Sequence, residues 1–306
     1  MILNKIDDIE YKLRENQDFS WLSQYGTAFY VVDETGSGCI NFGIKKDNKK
    51  LFFKIAGAKT LSAEISPQES IQLLKKASKL YKEIKHPNLI QYVDSFEIND
   101  FFVLVFEFAE GECLFDHWNF DMYRKTKDIT PMVRFKNLSV EKRLRVVFKL
   151  FSFFKTIIEN GYVAVDFYDS SIIYNFINDE VTFCDIDLFR KCPSINDLGI
   201  NYFGTKRLKA PEENILGAII DERTNCFTLG ALILDMFSEI TNTKQRYIQG
   251  TFIPEEFSHF ELSREVYEVL LIATNPLREK RFNTISEFEK VFIQTLDNQD
   301  YKIISY

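Results

Sequence analysis

The feature that most constrains the fold is an ordered series of charged residues that precedes the nine residues GTKRLKAPE, at positions 204–212. The series contains Lys54 at the end of L-F-F-K, Asp166 at the end of G-Y-V-A-V-D, and Asp185 with Asp187 in D-I-D. Each acid alone is most simply a turn or cap residue after a buried strand. Their joint order ahead of GTKRLKAPE argues against coincidence, so we interpret them as parts of one domain.

These segments resemble motifs of the eukaryotic-like serine/threonine protein kinases, in a divergent bacterial branch. The A-P-E that ends at Glu212 resembles the close of a kinase activation segment, and D-I-D stands where kinases carry D-F-G. Asp166 stands where they carry the Asp of H-R-D, and Lys54 where they carry the Lys of V-A-I-K. The resemblance covers roughly residues 20–295. It implies an α+β, bilobal protein-kinase-like fold with a small β-rich N-lobe and a mostly helical C-lobe.

Composition agrees with that size and class. A chain of 306 residues that is 45% hydrophobic can bury a large core. The net charge of −7 argues against a nucleic-acid partner, because binding phosphates needs clustered Lys and Arg. The longest apolar run, at 101–106, is too short to span a membrane, and the five cysteines lack a C-x-x-C pair. We therefore expect a cytoplasmic protein with reduced thiols.

Local patterns predict a β-rich part followed by a helical part. Short apolar runs at 28–32 and 51–55 alternate with turn residues, as in antiparallel strands. A helix is expected after Ser66, where Ser66 and Glu69 form a capping box, and this helix would be αC of the kinase fold. Further helices are expected between Ser139 and Asn160 and over 227–237. The predicted organisation is a single catalytic domain in three parts: an N-terminal extension (1–20), the N-lobe (21–110) and the C-lobe (111–306).

The resemblance also implies a role for individual residues, because phosphoryl transfer depends mainly on positioning and on neutralising charge. Asp166 would orient the acceptor hydroxyl, and Thr205 would hydrogen-bond Asp166. Lys54 would bind the α- and β-phosphates of ATP, and Asp185 would hold Mg²⁺, or else Mn²⁺. The remaining nucleotide contacts would come from the glycine-rich loop and the hinge after the last strand of the sheet: Gly36, Ser37, Gly38, Glu107 and Ala109. Because a lone G-x-G is usually a hairpin turn, only its position before Lys54 favours the phosphate role.

Four positions depart from the family pattern. Ala77 stands where the αC glutamate should pair with Lys54, so Lys54 needs another carboxylate, either Glu64 or Asp185. Ser171 replaces the Asn that binds a second metal, unless Asp187 takes over that role. The residues at 164–165 are Ala-Val instead of His-Arg, and position 168 is Tyr instead of the Lys directed at the γ-phosphate.

The segment from 185 to 212 favours a protein substrate, since it is long enough to form a surface for peptide docking. The resemblance also implies a buried ion pair between Glu212 and Arg281, and it places Asn225 where an Asp usually anchors the catalytic loop. We therefore predict a Mg-ATP-dependent serine/threonine protein kinase. The alternatives are a pseudokinase that acts as a nucleotide-binding interaction module and a small-molecule phosphotransferase.

Overall fold

The computed structural model describes residues 1–297, which form two compact units. The first unit comprises Met1–Lys85, Leu89–Gly111 and His117–Met122, and the second comprises the remaining described residues. The predicted N-terminal extension belongs to the first unit, where Tyr11, Leu13 and Phe19 are buried in its core.

The first unit is built on a five-stranded antiparallel sheet in the order β3-β4-β5-β7-β6, with a separate hairpin of β1 and β2. The strands are β1 (Ile2–Ile6), β2 (Ile9–Leu13), β3 (Thr27–Val32), β4 (Cys39–Lys46), β5 (Lys49–Ala56), β6 (Tyr92–Ile98) and β7 (Phe101–Glu107). β4 and β7 are almost wholly buried, because both lie inside the sheet and bear mainly apolar side chains.

Helix α1 (Pro67–Glu83) is the helix expected after Ser66. The Ser66 hydroxyl accepts a hydrogen bond from the Glu69 amide, while the Glu69 carboxylate accepts one from the Ser66 amide at 2.8 Å. This capping box satisfies two donors that the first helical turn leaves open. Leu74, Ala77 and Tyr81 recur at helical spacing and are buried, so α1 presents one apolar face to the sheet.

The second unit is mainly helical, with short paired strands. Helix α2 (Phe120–Thr126) begins in the first unit and ends in the second. The other helices of the second unit are α3 (Pro131–Lys136), α4 (Val140–Glu159), α5 (Glu222–Phe237), α6 (Thr243–Gln249), α7 (Arg264–Ala273) and α8 (Ile285–Asp297). Its strands are β8 (Glu112–Cys113), β9 (Tyr162–Val163), β10 (Ile172–Asn175), β11 (Glu180–Phe183), β12 (Arg190–Lys191), β13 (Ser194–Ile195) and β14 (Ile219–Ile220). Helices α2 and α3 occupy the stretch from 117 to 137 that the sequence patterns left without a structure.

Helix α5 is buried all round from Thr224 to Phe237, so it forms the centre of the second unit as its apolar sequence predicts. Helix α4 packs against it and against α8, where Phe151 of α4 lies 5.0 Å from Phe288 between ring centroids. The α+β fold with a β-rich first part and a helical second part is confirmed. Within residues 1–297 no disulfide joins any of the five cysteines, and no helix there combines the length and apolar character needed to cross a bilayer.

Candidate active site

Helix α4 and strand β9 position the segment that ends at Asp166. The helix stops at Asn160, and Gly161 has the left-handed φ of 74° that lets the chain turn into β9. Ala164 follows, and both of its backbone polar groups bond the side chain of Asn225 on α5. The Asn225 Oδ1 atom accepts from the Ala164 amide at 2.9 Å, and Nδ2 donates to the Ala164 carbonyl at 2.8 Å. One amide group thus fixes the chain two residues before Asp166.

Asp166 and Asp185 share an unusual backbone conformation. Their φ angles are 59° and 58°, in the left-handed region that non-glycine residues enter at a cost. Aspartate tolerates this region better than most residues, and such conformations concentrate at functional sites. The backbone of both acids is therefore consistent with the roles that the family resemblance implies.

A small cavity of the second unit brings Asp166 and Thr205 together. Its volume is about 10 Å³, room for roughly one water molecule. The cavity is lined by Asp166, Phe167, Tyr168, Gly204, Thr205, Leu208, Lys209, Glu213 and Thr228. Two predicted catalytic residues from segments far apart in sequence thus meet in one place, together with a lysine and a glutamate that were not predicted.

The ionisable groups of this cavity perturb one another. Burial lowers the pKa of the Lys209 ammonium, and the carboxylates of Glu213 and Asp166 oppose that shift. Burial raises the pKa of Glu213 to about 8, although its carboxylate accepts a hydrogen bond from the Ala210 amide at 2.7 Å. Burial also raises the pKa of Tyr168, and the charges of Asp166 and Asp185 raise it further, so the phenol keeps its proton. The cavity therefore combines two acids, three hydroxyl groups and the buried Lys209.

The Glu213 pKa predicts a pH-dependent stability. The folded value of about 8 lies above the ordinary value of 4.5, so the folded protein holds more protons than the unfolded chain between these limits. The free energy of unfolding should fall as pH rises through that window, by up to about 1.4 kcal/mol per pH unit. In Glu213→Gln the side chain stays neutral, and we expect a flatter profile of Tm against pH from about 6 to 8.

The matched control is Glu268→Gln, which changes an exposed glutamate of α7. This control should follow the wild-type profile, since its substitution touches no buried acid. Wild-type and Glu213→Gln curves that stay parallel across the window would contradict the raised pKa.

Asp185, Asp187 and Ser171 are the predicted metal residues. Asp185 is exposed, Asp187 is half-buried, and Ser171 is fully buried. Among residues 1–297, the Ser171 Oγ atom is one of the buried polar atoms with no hydrogen-bond partner, which fits a position that an ion or its water could satisfy. No cluster of three His, Cys, Asp or Glu side chains capable of holding a metal occurs in that part of the chain. Magnesium needs only one or two carboxylates when phosphates supply its other ligands, so the donor set fits it.

Lys54 lies on β5 of the first unit, between Asn41 on β4 and Leu104 on β7 in the strand register. Its side chain is half-buried. On helix α1 the position expected for a glutamate is Ala77, which is fully buried, while Glu69 is engaged in the capping box. That Ala77 occupies the position of the family's glutamate stays a prediction from the sequence.

The loop with Gly36, Ser37 and Gly38 joins β3 to β4 and is held by backbone contacts within the first unit. The Gly36 carbonyl accepts a hydrogen bond from the Glu64 amide at 2.9 Å. Gly38 has a φ of 68°, and a side chain there would come within 3.3 Å of Ser70 on α1. The left-handed φ therefore favours glycine at 38, and a side chain there would also need Ser70 to shift slightly.

Glu107 and Ala109 lie at the end of β7 and just beyond it. The Glu107 amide donates to the Gln91 carbonyl at 2.9 Å, and the Phe108 amide donates to the Lys50 carbonyl at 3.1 Å. These bonds fix the backbone of the segment expected to meet adenine.

Two buried ionic contacts hold the segment that ends in A-P-E. Arg281 donates two hydrogen bonds to the carboxylate of Glu212, at 2.6 and 2.8 Å, which is the ion pair that the resemblance implied. Arg207 pairs with Asp169 and lies 3.5 Å from Asp235 of α5. Burial raises the pKa of Asp169, and the Arg207 charge opposes this shift. The segment is thus tied both to the catalytic loop and to the central helix.

Lys209, Glu213 and Arg207 were missed by the sequence interpretation. Lys209 and Arg207 lie inside GTKRLKAPE, where the sequence motifs assign roles only to Thr205 and to the closing A-P-E. Glu213 is the second of two adjacent glutamates, and only the burial of both distinguishes it from a surface acid. The one available signal was the unusual density of positive charge just before the A-P-E sequence.

Comparison with known proteins identifies the class to which this fold and site belong. The family model described as protein kinase domain matches residues 34–302. The chain therefore belongs to the protein kinase family, a family of phosphotransferases for which ATP is the substrate and a divalent metal the usual companion. No curated protein matches the sequence. The predicted family is confirmed.

Proposed function

We propose that this protein is a Mg-ATP-dependent serine/threonine protein kinase. The observation that carries the proposal is the cavity that Asp166 and Thr205 line together with Lys209. An acid beside the acceptor position, a hydroxyl that holds the acid, and a nearby cation are the groups that the acceptor side of phosphoryl transfer needs.

In this proposal Asp166 orients the acceptor hydroxyl and receives its proton. The acceptor oxygen then forms a bond to the γ-phosphorus as the bond from that phosphorus to the β-bridging oxygen breaks, and ADP leaves. Thr205 holds the Asp166 carboxylate in place. Lys209 supplies a positive charge near Asp166, which offsets the tyrosine at 168 where relatives carry a lysine.

The same proposal assigns the nucleotide contacts to individual residues. Lys54 and the loop at 36–38 contact the phosphates, while Glu107 and Ala109 meet adenine. Asp185 holds Mg²⁺, with Asp187 or Ser171 as the second protein donor. When bound, the metal neutralises charge on the phosphates.

A serine or threonine acceptor on a protein is favoured by Thr205 and by the length of the segment from 185 to 212. Phosphate-accepting small molecules need no such docking surface. The ion pairs Glu212–Arg281 and Arg207–Asp169 hold the C-terminal end of this segment in place.

Transfer of labelled phosphate tests the proposal. Purified protein with γ-labelled ATP and Mg²⁺ or Mn²⁺ should phosphorylate itself or a generic protein substrate, with label on serine and threonine. Asp166→Asn should reduce the rate by about 10²-fold or more, because it removes the proton acceptor. Its thermal stabilisation by ATP should persist, since Asp166 acts on the acceptor side. Equal transfer by both proteins, or label on tyrosine alone, would contradict the proposal.

A pseudokinase is the second candidate, and two observations favour it. Ala77 leaves α1 without its glutamate, and Ser171 is a buried hydroxyl where a metal-binding amide is expected. The same experiment separates the candidates: nucleotide binding with no transfer under either metal supports the pseudokinase.

A further inference from the structure

A patch of large aliphatic side chains is exposed on the second unit, in the two short segments 194–201 and 214–220. We call it the aliphatic surface, and each member is between 43% and 70% exposed. Its members are Ile195, Leu198, Ile200, Ile215, Leu216 and Ile219. Single exposed aliphatic residues are ordinary on proteins, whereas a contiguous group of this size marks an interaction site.

The two segments are held together, so the patch is continuous. Ile195 of β13 is the direct cross-strand partner of Ile219 of β14, which places their side chains on the same face. Gly199 lies beside Leu216, because a side chain on the glycine would be in van der Waals contact with the Leu216 Cβ atom, at 3.5 Å.

The buried Asn196 holds the two segments together through hydrogen bonds. It is fully buried, and its amide Nδ2 atom donates to the Gly199 carbonyl at 3.0 Å while Oδ1 accepts from the Gly199 amide at 2.7 Å. Its backbone bonds Gly217 and Ala218 in the other segment, at 2.8 and 2.9 Å. The aliphatic surface is therefore preformed, so binding a partner costs little ordering of the chain.

These side chains are exposed although the same segments also contribute residues to a buried core. Ile220, next to Ile219, is fully buried in a cluster with Val163, Val165 and Tyr202. Strand β14 therefore buries one face in the core of the second unit and exposes its other face to solvent.

The charge and the size of the aliphatic surface indicate its occupant. The two segments contain one ionisable side chain, Asp197, whose carboxylate pairs with Arg190 at 2.9 Å. The exposed fractions amount to about three and a half whole aliphatic residues. A standard stable interface buries roughly 800 Å² on each partner, so this patch would form the apolar centre of an interface that the residues around it complete.

We propose that two copies of this chain associate through the aliphatic surface. An uncharged, preformed apolar face of this size matches itself across a two-fold axis, where each residue meets the same patch on the other copy. Ile195, Leu198 and Ile200 also lie in the segment from 185 to 212 that the proposed function assigns to substrate docking. The association is measured without nucleotide or substrate, so its failure is distinguishable from a failure of the proposed function.

Sedimentation velocity and light scattering across a range of concentrations test this. Wild type should form a dimer at tens of micromolar, and Leu216→Asp or Ile200→Asp should raise the dimer dissociation constant about 30-fold or more, because each places a charge on both sides of the interface. Added salt should tighten the wild-type dimer, since each copy carries a net charge of −7.

Ile177→Asp is the matched control, as this isoleucine is 92% exposed and lies outside the aliphatic surface. It should dimerise like wild type, and the thermal unfolding of all the variants should confirm that they are folded. A wild-type protein that stays monomeric to about 100 µM overturns the proposal and leaves the surface to a different protein. A dimer that survives both aspartate substitutions also overturns it.

Discussion

Arg207→Met is expected to lower the free energy of unfolding by about 3–5 kcal/mol, the usual cost of leaving a buried carboxylate without its partner. Arg207 is buried, pairs with Asp169 and lies 3.5 Å from Asp235. In the variant, Asp235 still pairs with Arg246 at 2.7 Å, so Asp169 is the carboxylate that loses its partner. Methionine retains the apolar volume of the arginine stem, whereas the guanidinium that it lacks lies over the Phe115 ring, with Cζ 4.4 Å from the ring centroid. For a chain of this size Tm should fall by on the order of 10 °C.

The loss should also depend on pH. Burial already raises the pKa of Asp169, and removal of Arg207 raises it further, so the folded variant holds an extra proton. A folded state that binds more protons loses stability as pH rises, and the penalty should therefore be larger at pH 8 than at pH 5. Thermal unfolding of wild type and variant at both values measures this difference.

Lys206→Met is the control for this prediction, because it removes a positive charge from the adjacent exposed position. It should change stability by about 0.5 kcal/mol or less. Asp169→Asn combined with Arg207→Met should recover part of the lost stability, since the unpaired carboxylate is gone. An Arg207→Met protein as stable as the Lys206→Met control would show that the buried network contributes no net stability.

Much of the fold could be predicted because its signals are local. The capping box at Ser66 and Glu69 marks the start of α1 within a few residues, and the apolar run at 227–237 predicts the buried body of α5. These signals depend on neighbouring residues alone. The pair of Glu212 with Arg281 lies beyond such signals, and the family resemblance supplied it.

The cavity and the buried charges could not be predicted in the same way, because they depend on distant segments that meet. Asp235 occurs within the apolar sequence of α5, and the sequence does not indicate which residues pair with it. In the folded chain Arg207 and Arg246 lie beside it. Lys209 and Glu213 become unusual only through burial, which shifts their pKa values in opposite directions. Burial and long-range pairing are properties of the folded chain, and a single sequence records them weakly.

Asn225→Asp is expected to destabilise the protein by about 2–4 kcal/mol at pH 8, although it restores the residue that relatives carry. The Asn225 side chain both accepts from and donates to Ala164, and it is fully buried. The family resemblance places an anchoring Asp at this position, whereas the amide of this chain accepts one hydrogen bond and donates the other. An ionised carboxylate has no donor, so the Ala164 carbonyl would face a negative charge inside the second unit.

The same substitution should be tolerated much better at pH 5. A protonated carboxyl group has one donor and one acceptor, like the amide that it replaces, so it can make both bonds to Ala164. Burial raises the pKa of such a group and extends the range in which it stays neutral. Asn225→Ala is the control, because it removes both bonds at every pH and should show a constant loss. If Asn225→Asp matches wild type at pH 8, the donated bond to the Ala164 carbonyl is dispensable, and this chain anchors its candidate catalytic loop as its relatives do.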